Sequence, residues 1–253
     1  MTQSEKGNHK NTFNRYFQIV PAFSEALKDE VYRIRHQVYC EELGFESAQS
    51  NKRETDEYDI DSSHLLIRNI QSNEFIGCAR IIRVHSVNPH CLLPFEKTCA
   101  DTLDRTIVDP AKLPRHKIAE VSRLAVIAKY RRRKSDTANA ISISSEDFGT
   151  AKQPRFPYIP VSLYLGSTKL ASSYGIENAF TLTEERLANH FSKLGFDLQS
   201  IGGPIEHHGK RVPSMFSVNG TINKMYPPLR PLYQSIAADI DAHIPIDSRD
   251  SNK

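Results

Sequence analysis

Apolar residues recur at helical spacing from residue 24 onward. Leu27, Val31, Ile34 and Val38 fall on one stripe, Ser24 suits the N-cap, and Leu43-Gly44 suits the end of the helix. Ahead of it, 16–20 reads as a first strand. Two apolar, β-branched runs at 64–70 and 75–84 flank the turn-like Gln71-Ser72-Asn73-Glu74 and predict a hairpin. Residues 120–126 predict another strand, followed by a helix over 161–174, a short strand at 179–182 and a helix over 184–194 closed by Gly195. Strands at 196–201 and 212–218 and a terminal helix over 229–240 complete the pattern. Between these lie an irregular stretch, 89–114, anchored by Leu92-Leu93-Pro94-Phe95, and a Ser/Thr/Asn/Pro-rich surface insertion at 135–160. The polar residues 1–12 read as disordered. Helices are thus mixed with a mostly antiparallel sheet, an α+β architecture in one domain over 13–225, with 226–253 as a C-terminal helix and tail.

Charges interrupt this pattern in informative places. Glu120 and Arg123 lie inside a strand and Arg80 inside the hairpin, where a charge is expensive unless paired. Glu120 and Arg123 have opposite parity, so a bulge is needed to bring them together. The turn at 129–134 is basic at every position but Tyr130, which suits an anionic ligand or a solvated surface. Arg35 and Tyr39 are four apart and share a helix face. The acidic run 54–61 has neither the glycine nor the spacing of an EF-hand, so calcium is set aside and no metal site is expected. The net charge of +3 over 253 residues gives no global field for nucleic acid, so a basic site must be local. No apolar run is long enough to span a bilayer, and Cys40, Cys78, Cys91 and Cys99 lack zinc or CxxC spacing, as expected of reduced thiols in a cytoplasmic protein.

Several segments, in order, resemble the GNAT-fold acyltransferases of the autoinducer (acyl-homoserine-lactone) synthase and N-acyl amino acid synthase group, and above all the acyltransferases associated with bacterial PEP-CTERM/exosortase systems. They are the run from Val31 through Arg35, Tyr39 and Leu43-Gly44-Phe45; Glu54-Thr55-Asp56-Glu57-Tyr58-Asp59; Gly77-Cys78-Ala79-Arg80; Leu93-Pro94-Phe95; and Glu120-Val121-Ser122-Arg123-Leu124-Ala125-Val126. A later block, Leu194-Gly195-Phe196, Ile201-Gly202-Gly203-Pro204 and Gly209-Lys210-Arg211-Val212-Pro213, resembles the exosortase-associated group.

The resemblance implies a GNAT-like fold with a bulged central strand, and a charged cluster at the amine site formed by Arg35, Asp56, Asp59, Arg80, Glu120 and Arg123. Three acids and three arginines can be buried together as a network. Glu120 is the expected proton acceptor, with Arg80 and Arg123 holding it. Tyr39, Phe45, Phe95, Leu124, Ala125 and Val126 are expected around the substrate, with backbone N–H groups at 124–126 as the oxyanion hole. The acyl chain is expected between the central strand and the strand at 179–182, lined by Leu124 and Val161. Ser122, Cys78, His64, His207 and His208 are expected to pack rather than react. The resemblance also implies a phosphate-binding turn after the strand, usually glycine-rich. Here Arg131, Arg132, Arg133 and Lys134 stand in it, which suits docking of an acidic acyl carrier protein better than tight capture of coenzyme A. Phe45 stands where autoinducer synthases often carry tryptophan, and the chain has no tryptophan. The expected reaction is transfer from an acyl thioester to the amine of an amino acid or related molecule, with no permanently bound cofactor. An autoinducer synthase and a non-catalytic acyl-carrier-binding protein are the alternatives, and a nucleic-acid module on the basic turn is weaker.

Overall fold

The computed structural model describes residues 13–84, 90–131 and 156–244. The expected disordered N-terminus, most of the 135–160 insertion and the last residues of the tail lie outside that set. Eight strands form one sheet: β1 Phe17–Pro21, β2 Ser62–Asn69, β3 Glu74–Arg83, β4 Ile118–Val126, β5 Asn178–Thr183, β6 Leu198–Ser200, β7 Ile205–Glu206 and β8 Lys210–Ser217. Their order is β1-β2-β3-β4-β5-β8-β6, with β7 paired to β8 beside that path. Every pairing is antiparallel except β4 with β5, so the sheet is mostly antiparallel, as its sequence pattern predicts.

The first helix, α1 (Glu25–Arg35), is capped by Ser24, whose Oγ accepts from Leu27 N at 3.3 Å. It runs on into a π-helical segment, His36–Glu42, where Leu43 N donates to Val38 O at 3.1 Å, and the chain leaves it at Gly44 with φ of +64°. The sequence predicts one continuous α-helix here; the wider turn instead re-aims Tyr39. The 89–114 stretch contains a short helix, α2 (Pro94–Thr98), and three longer helices follow β4: α3 (Tyr158–Ser173), α4 (Glu185–Lys193) and, after the short α5 (Val218–Lys224), α6 (Arg230–His243). Leu232, Ile236 and Ile240 of α6, spaced four apart, join the main core with α3 and β1, so this helix is part of the domain rather than an appendage. A smaller second core gathers Ile82, Leu93, Phe95, Ile118, Phe180 and Ile201.

Two irregularities of the sheet create the site. Cys78 pairs with Ala125 and Arg80 with Ser122, so Ala79 faces both Arg123 and Leu124, and Arg123 takes a left-handed φ of +49°. This is the bulge that the parity of Glu120 and Arg123 requires. Gly77 lets β3 approach β4 just beside it, since a Cβ there would stand 2.6 Å from Ala125 O. The second irregularity is a split: β4 and β5 pair from Ile118↔Asn178 only as far as Glu120↔Phe180, and beyond that point the two strands part.

Candidate active site

A cavity of about 230 Å³ opens where β4 and β5 separate. Glu120, Ser122, Arg123 and Leu124 contribute from β4 and Thr181, Leu182 and Thr183 from β5. Asp56, Arg80 and Phe95 close one side; Tyr39, His207 and Arg211 line it from elsewhere.

Glu120 is 4% exposed, and its Oε2 accepts from Phe95 N at 2.8 Å. Phe95 is held there by its stack on Phe180, with ring centroids 4.4 Å apart. Burial pushes the Glu120 carboxyl up to about 7, against the pull of the Phe95 N–H and the Arg80 and Arg123 charges. A cavity carboxyl that is half ionised near neutrality can take and return a proton.

The arginines are arranged differently from the sequence expectation. Arg80 donates to Asp56 Oδ1 at 2.6 Å, Asp59 Oδ1 at 2.9 Å and Ser122 Oγ at 3.1 Å. Arg123 reaches Glu54 Oε1 at 3.1 Å, Asp56 Oδ2 at 3.2 Å and Glu46 Oε1 at 3.4 Å. Arg35, fully buried, pairs with Glu54 and, at 2.6 Å, with Asp59. Arg80 and Arg123 act on Glu120 only at longer range and do not hold it, a correction to the expected arrangement. Glu54, 5% exposed, takes the place assigned to Glu120 in the ion-pair network. The three arginines are matched by Glu54, Asp56 and Asp59, so none forms an ion pair with Glu120, and Arg80 and Arg123 reach its carboxyl only as longer-range charges. Burial works to raise the Asp59 carboxyl, but Arg35 and then Arg80 bring it down to about 2. Burial also opposes the Arg35 charge, yet Glu54 and Asp59 hold it above its ordinary value. The acidic run turns Glu54 and Asp59 in to the arginines while Glu57 and Ile60 stay exposed. It folds as a 3₁₀ turn, Glu57–Asp61, capped by Asp56, whose Oδ1 accepts from Tyr58 N at 3.0 Å, and Asp59 Oδ2 accepts in return from Asp56 N at 2.8 Å.

Tyr39 donates to Leu124 O at 3.1 Å and lies under the Arg123 guanidinium, 5.5 Å from ring centroid to Cζ; burial pushes its hydroxyl up to about 12, so it stays a donor. Phe45 is set back from the cavity, stacked on Tyr39 at 6.5 Å and on His208 at 4.6 Å. Ala125 and Val126 are buried in the core, and only their backbone can serve the bulge. Val161 is buried away from the cavity, and Tyr164, one turn further along α3, lines it instead. Burial pushes the Cys78 thiol up to about 12 and brings His64 down to about 3, so neither offers a nucleophile or a base. Arg131 is turned inward, 7% exposed: Nη2 is 2.7 Å from Glu42 Oε2, and Nη1 donates to Val126 O at 2.9 Å. It braces the end of β4 and is not the exposed cation that the sequence predicts. Arg132, Arg133 and Lys134 lie outside the described residues. Among the described residues, no group of three or more His, Cys, Asp or Glu is placed to hold a metal, and no helix is long and apolar enough to cross a membrane.

A mostly antiparallel sheet with a bulged central strand, split from its parallel neighbour and flanked by helices, is the fold of the GNAT acyltransferases. Residues 34–139 match the acetyltransferase (GNAT) domain family. Among solved structures, the AHL synthase LasI is similar over 83% of this chain and 93% of its own, with 19% identity and a TM-score of 0.57. BjaI, a CoA-dependent acyl-homoserine lactone synthase solved with SAM and isopentyl-CoA, is similar over 90% and 88%, with 16% identity and a TM-score of 0.54. FeeM, an N-acyl amino acid synthase from uncultured soil microbes, is similar over 85% and 96%, with 15% identity and a TM-score of 0.54. No curated protein matches the chain in sequence.

Proposed function

We propose that the protein transfers a fatty acyl group from an acyl thioester to the amine of an amino acid or related small molecule. The observation that carries this reading is the Glu120 carboxyl, poised near neutrality at about 7 in the gap between β4 and β5. The thioester carbonyl lies against backbone N–H groups of the bulge at 124–126, which stabilise the developing oxyanion. The neutral amine attacks the carbonyl carbon, the C–S bond breaks, and the sulfur leaves as thiolate. Glu120, directly or through one water, accepts the proton lost by nitrogen and can pass it to the thiolate. The arginine–carboxylate network holds β4, the 3₁₀ turn and the π segment in register around the reacting groups. The thioester is a co-substrate, so no permanently bound cofactor is invoked.

For the donor we favour an acyl carrier protein, because side-chain charge at Arg132, Arg133 and Lys134 replaces the glycines of a backbone phosphate cradle. For the setting we favour a bacterial, cytoplasmic, exosortase-associated system, on the motifs around Gly202-Gly203-Pro204 and Gly209-Lys210-Arg211. The likeness to LasI and BjaI supports autoinducer synthesis as the second reading. The test is mass spectrometry of lipids from cells overproducing the protein or its Glu120→Gln variant. An N-acyl amino acid present only with the wild type is the expected result. Acyl-homoserine lactone in its place would move the chain to the second reading, and an unchanged lipid profile without thioester turnover in vitro would leave a binding protein.

A further inference from the structure

The charge network accounts for two of the three arginines that line the cavity. Arg80 and Arg123 are occupied by Asp56, Asp59, Glu54 and Glu46 and have little left to offer a ligand. Arg211, on β8, is different. It lines the same cavity, is half-buried, and its side chain makes no hydrogen bond or ion pair among the described residues; its Nε is buried without a partner. A guanidinium is five donors in a rigid fork, and leaving a buried one unmatched is costly.

The surroundings favour an anion. His207, in the turn between β7 and β8, also lines the cavity, and burial, with His208, Arg211 and Arg123 adding, brings its ring down to about 4, so it is neutral near pH 7. Of the acids on the cavity wall, Asp56 is bound by Arg80 and Arg123, Glu184 makes an interaction of its own, and Glu120 sits at the other end. The register fixes that separation. Glu120 faces Phe180, whereas Val212, next to Arg211, faces Thr183. Those positions on β5 are roughly 10 Å apart along the strand, and the long arginine side chain covers part of that span.

We propose that Arg211 is the carboxylate clamp of the acceptor site. Its fork takes the α-carboxylate of an amino acid in bidentate fashion while the amine faces Glu120. This assigns the acceptor to amines that carry a carboxylate, and it rests on the acyl-transfer reading. An oxyanion at Arg211 could equally come from the phosphate of the donor's pantetheine arm, so the test has an arm for each.

Calorimetric titration of the full chain with N-dodecanoylglycine, N-ethyldodecanamide and 4′-phosphopantetheine separates them, because the first two differ only in the carboxylate. The wild type is expected to bind the acid at least tenfold more tightly than the amide. Arg211→Gln should bring the two within twofold by weakening the acid alone, Arg211→Lys should recover part of the difference, and both variants should melt like the wild type. Equal loss for acid and amide, an unchanged ratio, or a loss confined to phosphopantetheine would overturn the proposal, as would a wild type that does not distinguish the first two. Thioester turnover with glycine is measured alongside. The expected binding pattern without turnover would keep the clamp and reject acyl transfer. Turnover whose acceptor KM ignores Arg211→Gln would do the reverse.

Discussion

At the residue scale, Arg35 and Glu54 carry the largest structural stake. Both are buried and paired to each other, and each has a second partner in Asp59 or Arg123. Removing one member strands the other as an uncompensated buried charge, whereas removing both leaves a gap that apolar side chains can fill. Arg35→Met is therefore expected to cost ~3–5 kcal/mol, and Glu54→Met a comparable amount. The double variant should cost clearly less than their sum, as read by chemical denaturation. Strict additivity would mean that the pair is not the unit its geometry indicates.

At the scale of the element, the bulge in β4 shapes the site, because it turns Arg123 to the acids, and the proposed chemistry draws its oxyanion contact from the bulge backbone. Gly77 sets the approach of β3 to that bulge. Gly77→Ala puts a Cβ against Ala125 O and should cost about 1–3 kcal/mol, as overpacking does. Turnover should fall more than stability alone explains. A variant with wild-type melting and wild-type rate would show that the bulge does not depend on this contact. Much of this level was legible in the sequence. Leu27, Val31 and Ile34 mark α1 by their period, the hairpin by its turn, and the opposite parity of Glu120 and Arg123 calls for the bulge. The rest was hidden for physical reasons. A π segment carries the same apolar stripe as an α-helix, and β7 is two residues long. Glu54 heads an acidic run that reads as solvated, and only the burial of Arg35 against it shows otherwise. Arg131 looks like any exposed cation until Glu42 is found beside it.

At the scale of the molecule, the proposed function follows from where the sheet fails to close. β4 and β5 stay paired up to Glu120 and separate beyond it, so the carboxyl sits buried at the apex of the split, beside Phe95 and Phe180, and the open arms leave a cavity in front of it. The acids beside it take the arginines' ion pairs, and burial outweighs what remains of the Arg80 and Arg123 pull, so Glu120 changes charge near neutral pH. The central claim is that this carboxyl accepts the proton of the attacking amine. Only its ionised form can do so, and below its pKa that fraction falls tenfold per pH unit. The most direct test is the pH profile of kcat/KM, expressed per unprotonated amine, for the wild type and Glu120→Gln. The wild type should rise with unit slope to a plateau, with its midpoint at about 7. The variant should be flat across that range and lower on the plateau by roughly 10²–10⁴-fold. A variant that kept both the rising limb and the rate would contradict the account.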